Sequence, residues 1–324
     1  MAGPVLVIGG AGYIGSHIVR HLLAADRGVL VVDDLSTGSP DGVAGSRLYT
    51  CDLFSPKMLL KIIAEHGVET VVHAATSHHE PQRSPITVGR SEGAPPLAAI
   101  FDDIVRAGVS KLVFTSTCAV YEPSRVGRTV DEKFTTVPLS QYGADKLAVE
   151  RHLLSLSYDA GLKCVSLRCF NVAGVHRGDG FLGSAGDPSR LINMACEVAT
   201  GRRTLVPVFV SDCPTTDGTW VRDYVHVDDV ARAHVNAVSY LDDGGPSIVL
   251  NCGSGHGHSV LEVLGAVEGE AVVPIPKSLL PRRWGKVPFM VADIRLIQET
   301  LGWAPRRDSL VSIIRDSLAY GRTI

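Results

Sequence analysis

Along the first half of the chain, short apolar runs alternate with stretches of helical periodicity. Residues 4–8 (PVLVI) are apolar throughout, 9–15 are rich in glycine, 16–26 (SHIVRHLLAAD) carry apolar residues at helical spacing, and 29–32 (VLVV) are apolar again. Unbroken apolar runs of this length read as strands covered on both faces, and the three-and-four spacing reads as one face of a helix. The order then repeats, with a helix over 56–66, a strand over 69–73, a helix near 96–107, a strand over 111–116, a helix over 142–160 and a strand over 163–168. This alternation predicts an α/β fold, a doubly wound parallel sheet with helices on both faces.

After about residue 172 the texture changes to Gly-, Asp- and Pro-rich loops around 177–189 and 211–219, with one helical stretch at 189–200. A second, smaller α/β domain is expected there. Residues 226–241 again read as a helix with an apolar stripe and 247–251 as a strand, so the chain is expected to return to the first domain before finishing. The expected division is 1–172, with a return at about 226–250, against 173–225 and 251–324.

Composition narrows the function. The chain has 324 residues, 31 Lys and Arg against 34 Asp and Glu, and a net charge of −3. Its basic residues cluster only in pairs such as Arg202-Arg203 and Arg306-Arg307, which disfavours nucleic acid as a partner. No apolar run approaches the ~20 residues that span a bilayer. The start, Met1-Ala2-Gly3-Pro4, lacks a charged leader segment, so a cytoplasmic protein without a membrane partner is expected. Seven scattered cysteines without a Cys-x-x-Cys pattern fit reduced thiols. His78-His79 and His256-Gly257-His258 lack a third partner at ligand spacing, so no metal is expected.

The chemistry starts at Gly9-Gly10-Ala11-Gly12-Tyr13-Ile14-Gly15, which follows a strand and opens a helix. The glycines allow a tight turn and the close approach of a pyrophosphate to the helix N-terminus, the signature of a Rossmann-type domain. Asp33 ends the second strand, where a carboxylate accepts hydrogen bonds from both ribose hydroxyls and repels a 2′-phosphate; NAD is therefore expected rather than NADP.

Tyr142 and Lys146 stand four apart at the start of a helix and share one face. That helix comes next after the strand 111–116, whose C-terminal end delivers Ser116 and Thr117 to the edge where ligands bind in open α/β sheets. A phenol of pKa ~10 needs roughly 4 kcal/mol of preferential stabilisation to titrate about three units lower. The Lys146 ammonium and the positive ring of NAD⁺ are expected to supply it, making Tyr142 a base, with Thr117 orienting or relaying the proton.

These residues resemble the extended short-chain dehydrogenase/reductase family, and within it the nucleotide-sugar epimerases of the UDP-glucose 4-epimerase type. The likeness covers nearly the whole chain. It rests on Gly9–His17 (GGAGYIGSH), Asp33–Gly38 (DDLSTG), Cys51-Asp52-Leu53, His73-Ala74-Ala75, Phe114–Tyr121 (FTSTCAVY), Ser140–Lys146 (SQYGADK), Arg168–Asn171 (RCFN), Pro214–Val227 (PTTDGTWVRDYVHV) and Pro281-Arg282-Arg283.

The resemblance implies that Tyr142 takes the proton from the sugar 4-hydroxyl while hydride passes from C4 to NAD⁺, and that the 4-keto sugar turns over before hydride returns. It implies catalytic Thr117, Tyr142 and Lys146. Cofactor contacts fall to Gly9, Gly12, Tyr13, Ile14, Gly15, Asp33, Asp34, Ser36, Thr37, Gly38, Asp52, Leu53, Ala74, Ala75 and Phe170, together with Tyr142 and Lys146. Substrate contacts fall to Thr117, Asn171, Arg190, Phe209, Arg222 and Arg283, with arginine suited to phosphate oxygens by its planar fork. Relatives pair through two long helices, here about 97–107 and 142–160, so a homodimer is expected.

Departures from the family pattern are equally informative. The segment between His73 and Leu97 is shorter than usual, His78 replaces a lysine and Gly89-Arg90 an asparagine pair. Cys169 stands in place of a tyrosine, Arg190 in place of a diphosphate-binding asparagine and Lys286 in place of an aspartate, while Met290 holds a position that helps admit or exclude an N-acetyl group. Added positive charge points to a different sugar or base, one bearing a carboxylate included. A dehydratase or decarboxylase would need an acid directly after Thr117, where Cys118 and Ala119 stand. A specialised sugar-modifying enzyme and a non-catalytic NAD-binding sensor complete the alternatives.

Overall fold

The computed structural model describes residues 3–52, 56–75, 97–124, 126–177, 186, 190–209, 215–280 and 288–321. Leu53, His78, Gly89, Arg90, Arg283 and Lys286 lie outside the described residues, so the expectations placed on them are not taken further.

The first half consists of β1 (Val5–Ile8), α1 (Tyr13–Ala24), β2 (Val29–Asp33), β3 (Arg47–Thr50), α2 (Pro56–His66), β4 (Thr70–His73), α3 (Leu97–Arg106), β5 (Lys111–Thr117), α4 (Gln141–Asp159) and β6 (Lys163–Cys169). The second half adds β7 (Asn171–Ala173), α5 (Leu191–Ala199), β8 (Val206–Phe209), β9 (Val221–His226), α6 (Val227–Asp242) and β10 (Ile248–Cys252). It ends with β11 (Gly257–Ser259), α7 (Val260–Ala271), β12 (Lys277–Leu280), β13 (Phe289–Met290), α8 (Arg295–Leu301) and α9 (Leu310–Gly321).

Seven strands form one parallel sheet in the order β10-β6-β5-β4-β1-β2-β3. Its inner strands β1 and β2 are buried on successive residues because helices cover both faces. Val5 and Val7 pack on one side with Ile18 and Leu22 of α1 and Val230 of α6. Leu6 and Ile8 pack on the other with Ile62 of α2, Phe101 of α3 and Leu153 of α4. A separate core joins α5, α7 and α9 through Ile192, Val263 and Ile313.

Three local differences from the sequence expectation have physical causes. Helix α1 begins at Tyr13, inside the glycine motif, since Gly12 serves as its N-cap. Helix α4 begins at Gln141 because the Ser140 hydroxyl accepts from the Gly143 N–H at 3.2 Å and caps it. Strand β3 (RLYT) escaped the pattern search: it is a short edge strand with no buried position, so burial leaves no alternation to read.

Candidate active site

The turn between β1 and α1 is built by contact. Gly9 adopts φ +75°, and a Cβ on Gly15 would lie 2.0 Å from the Gly9 carbonyl oxygen, so the helix can sit this close to the strand only with glycine there. No side chain caps the first turn of α1, which leaves its N–H groups, around Tyr13 and Ile14, directed toward an anion. Beside this turn the buried Asp33 carboxylate accepts the Ala11 and Leu35 N–H groups, each at 2.9 Å. Each oxygen keeps a further lone pair for a hydroxyl donor.

Asp34 accepts from the Ser36 N–H at 2.9 Å and hydroxyl at 2.6 Å, and Gly38 is pressed against the Ala11 backbone, with Thr37 before it. Cys51, preceding Asp52, donates its N–H to the Asp33 carbonyl. Ala74 donates to the Ile8 carbonyl, and Ala75 packs on Gly9. Thus Gly9, Gly12, Tyr13, Ile14, Gly15, Asp33, Asp34, Ser36, Thr37, Gly38, Asp52, Ala74 and Ala75 gather at the C-terminal edge of β1, β2 and β4.

Thr117 ends β5, and its hydroxyl accepts the Ala119 N–H at 3.2 Å. Tyr142, in the first turn of α4, meets Thr117 through a side-chain hydrogen bond. Lys146 is 5% exposed, donates to the Thr115 carbonyl at 3.0 Å and the Ala75 carbonyl at 3.5 Å, and stands 6.0 Å from the Tyr142 ring centre. The three side chains therefore converge next to the glycine turn.

Their electrostatics differ from the sequence expectation. Burial pushes the Tyr142 phenol up to about 12, with the Thr117 hydrogen bond and Arg190 pulling it down and Cys169 and Cys118 pushing it up. Lys146 gives hydrogens to two carbonyls, and its Nζ stands 6.0 Å from the Tyr142 ring centre. Burial also drives Lys146 down, to about 8, against Cys169 and Glu150. His73, at the end of β4, has no partner for either ring nitrogen among the described residues, and burial together with Lys146 lowers it to about 3.

Arg190 is the N-terminal cap residue of α5. It donates Nη1 to the Val172 carbonyl at 2.8 Å and lies 5.7 Å over the Tyr13 ring. Arg222 on β9 lowers the pull of burial on the Cys118 thiol, which nevertheless rises to about 12. Both guanidinium groups thus flank the end of β5. Asn171 starts β7, which pairs with β9. Phe209 ends β8 and stacks on Trp220 at 15° and 6.2 Å, and Trp220 in turn lies 5.6 Å under Arg222. Phe170 packs inward with Val120, Tyr121 and Leu147.

The sequence reading missed Trp220 and the buried charges beneath Lys146. Glu150 repeats the four-residue step from Tyr142 to Lys146, a signal available in the sequence; its partner Arg168 opens the Arg168–Asn171 motif on another element, and no spacing ties the two.

Comparison with known proteins identifies the family. The model of the NAD dependent epimerase/dehydratase family matches residues 5–253. A UDP-glucose 4-epimerase of Azospirillum brasilense is 40% identical over 325 aligned positions, covering 99% of this chain and 92% of that protein. A UDP-glucose 4-epimerase structure from Stenotrophomonas maltophila, with bound NAD and formylated UDP-arabinopyranose, superposes with TM-score 0.88 at 34% identity, covering 99% of this chain and 98% of that one. One from Bifidobacterium longum, in complex with NAD+ and UDP, gives 0.84 at 29% identity over the same shares. The chain belongs to the NAD dependent epimerase/dehydratase family.

Proposed function

We propose that this protein epimerises a nucleotide sugar at C4 with NAD as a resident cofactor, an isomerase of the UDP-glucose 4-epimerase type. The observation that carries the reading is the convergence of Thr117, Tyr142 and Lys146 beside the glycine turn. The chain fits the cofactor: the turn admits a pyrophosphate because Gly9 and Gly15 leave no Cβ in its floor, the first turn of α1 is uncapped, and Asp33 keeps acceptor capacity for ribose hydroxyls. Held there, NAD⁺ would supply a hydride acceptor for C4 of the sugar and a positive charge that favours the phenolate.

The remaining work belongs to the chain. Tyr142 takes the proton of the 4-hydroxyl and returns it, and Thr117 orients that proton through its hydrogen bond. Lys146, held by two carbonyls, fixes the floor of the site and adds positive charge below a pH of about 8. Arg190 pulls the phenol down from its raised value. Asn171, Arg190 and Arg222 hold the diphosphate and Phe209 the base. Residues 1–172 with 226–250 form the cofactor part, and 173–225 with 251–324 the sugar part. Leu154 and Tyr158 are exposed on α4, beside α3, and this pair of helices is the face through which a homodimer assembles. Six free cysteines among the described residues suit a reducing, cytoplasmic setting.

The test is turnover of UDP-glucose and UDP-galactose followed at C4 by NMR. The wild type interconverts them, and Tyr142→Phe loses at least about 100-fold in kcat, the range of general acid–base catalysis. Wild-type protein that retains NAD but converts no nucleotide sugar overturns the reading. Arg190 favours a second reading, a sugar carrying a carboxylate; UDP-glucuronate outcompeting UDP-glucose in the same assay supports it.

A further inference from the structure

Beneath the catalytic trio lies a charge pair that the mechanism above does not use. Glu150 and Arg168 are each 6% exposed. Glu150 stands one turn beyond Lys146 and two beyond Tyr142, so the three side chains leave α4 on one face. Arg168 donates Nε to both carboxylate oxygens, at 3.1 and 3.2 Å, and Nη2 to Oε2 at 2.7 Å. The Ser116 hydroxyl donates to Oε1. Arg168 Nη1 donates to the Tyr121 hydroxyl at 3.0 Å, which donates on to Asn251 Oδ1 at 2.6 Å.

The places of these partners in the fold give the pair its meaning. Ser116 directly precedes Thr117 on β5, Arg168 directly precedes Cys169 on β6, and the two strands are in register as Ser116 with Arg168 and Thr117 with Cys169. Glu150 therefore fastens the helix that carries Tyr142 and Lys146 to the last residues of both strands. A buried ion pair is weak as a source of stability, because desolvation offsets most of the attraction. Its fixed, saturated geometry is a better account of it. The charged and titratable groups that face Lys146 are Glu150 from its own helix, Tyr142 from the first turn, His73 from β4 and Cys169 from β6.

We propose that Glu150 is a positioning residue for the epimerisation: held by Arg168 and Ser116, it fixes the turn of α4 that bears Lys146 against the end of β5 and keeps an anion behind the lysine. The proposal rests on the epimerase reading, and the anion behind Lys146 is measurable without it.

The experiment compares wild type, Glu150→Gln, Glu150→Asp and the neutral double variant Glu150→Gln/Arg168→Gln, all full length with bound NAD and with folding checked by circular dichroism. Steady-state kinetics with UDP-galactose across pH and a ¹³C NMR titration of the lysine ε-carbons are recorded on each. Glu150→Gln is expected to lower kcat about tenfold with KM within twofold, and to move the alkaline limb and the Lys146 titration down by about one pH unit, the scale of a nearby charge. Glu150→Asp recovers part of kcat. If Glu150→Gln fails to fold, the double variant, which leaves no unpaired buried charge, is expected to show the loss in kcat with a smaller shift of the Lys146 titration, because the opposing charge of Arg168 goes with the anion. A folded Glu150→Gln whose kcat matches wild type, or whose Lys146 titration does, overturns the proposal. Wild type that turns over no sugar sinks the epimerase reading, whereas a Lys146 titration unmoved by Glu150→Gln sinks this one.

Discussion

Two buried polar clusters tie distant parts of this molecule together, and they are built from different acids and bases. Under the trio, Glu150, Arg168, Ser116, Tyr121 and Asn251 are joined by bonds at nearly every donor and acceptor. The other cluster joins α1 to the second half of the chain. There His21 Nε2 lies 3.2 Å and His176 Nδ1 2.9 Å from the Asp228 carboxylate, and the His176 N–H donates to His17 Nε2 at 3.2 Å. His17 in turn gives its Nδ1 proton to the Tyr13 carbonyl, and Arg307 reaches both Asp228 and Asp316.

The difference teaches where the fold tolerates titration. The base of the active site is locked by a guanidinium and a carboxylate joined through three hydrogen bonds. The joint between α1 and the C-terminal helices turns on His17, which spends one nitrogen as donor and the other as acceptor, so a second proton breaks a bond. Burial holds His17 at about 4. For Asp228, burial pushes the carboxyl up, but His21, His176 and His226 outweigh it and hold the group far below the carboxylate range.

Among single substitutions the largest effect is expected from Arg168→Ala, which strands the Glu150 carboxylate in the interior. A loss of about 3–5 kcal/mol in denaturant-derived stability is expected, the scale for breaking a buried pair. A loss below 1 kcal/mol would mean that the clamp is dispensable.

Next comes acid. His17, His73 and His234 are held by burial at about 4, 3 and 4, below the unfolded value near 6.5. Between those values the unfolded chain binds protons that the native chain refuses, so stability falls as pH drops from about 6.5 toward 4, by up to about 1.4 kcal/mol per unit for each group. Asp228 adds its loss only at still lower pH, because its native value is depressed. A flat stability profile between pH 7 and 4.5 would contradict the buried neutral histidines.

Asp228→Asn comes third, with an expected loss of about 1–3 kcal/mol from charge-assisted bonds and no change in the alkaline limb of kcat, which belongs to the other cluster. Smallest is His21→Ala, at the solvent-facing rim of the same joint. It should cost less than about 1 kcal/mol, as for exposed ion pairs, and a larger loss by thermal unfolding would place His21 among the supports of α1.

Much of the site was legible because its signals are local. Gly9 to Gly15 follow a strand within a few residues, Asp33 closes the next strand, and Tyr142 and Lys146 share one helix face by spacing alone. The apolar runs announced the parallel sheet because both of its faces are covered. What stayed hidden has no local period: Trp220 lies in a loop-rich stretch, β3 is an edge strand, and the place of the Arg190 guanidinium over the Tyr13 ring, where its charge also lowers the Tyr142 phenol, depends on contacts far apart in sequence.

The chain by itself determined the alternation of strands and helices, the dinucleotide turn and the spacing of the catalytic pair, since each depends on neighbours a few residues apart. Only the tertiary structure decided the protonation of Tyr142, the carbonyl cradle of Lys146, the Glu150 clamp and the imidazole joint. The reason is physical: desolvation and Coulomb energies depend on which groups surround a side chain in space, and His21 meets Asp228 across 207 residues of sequence.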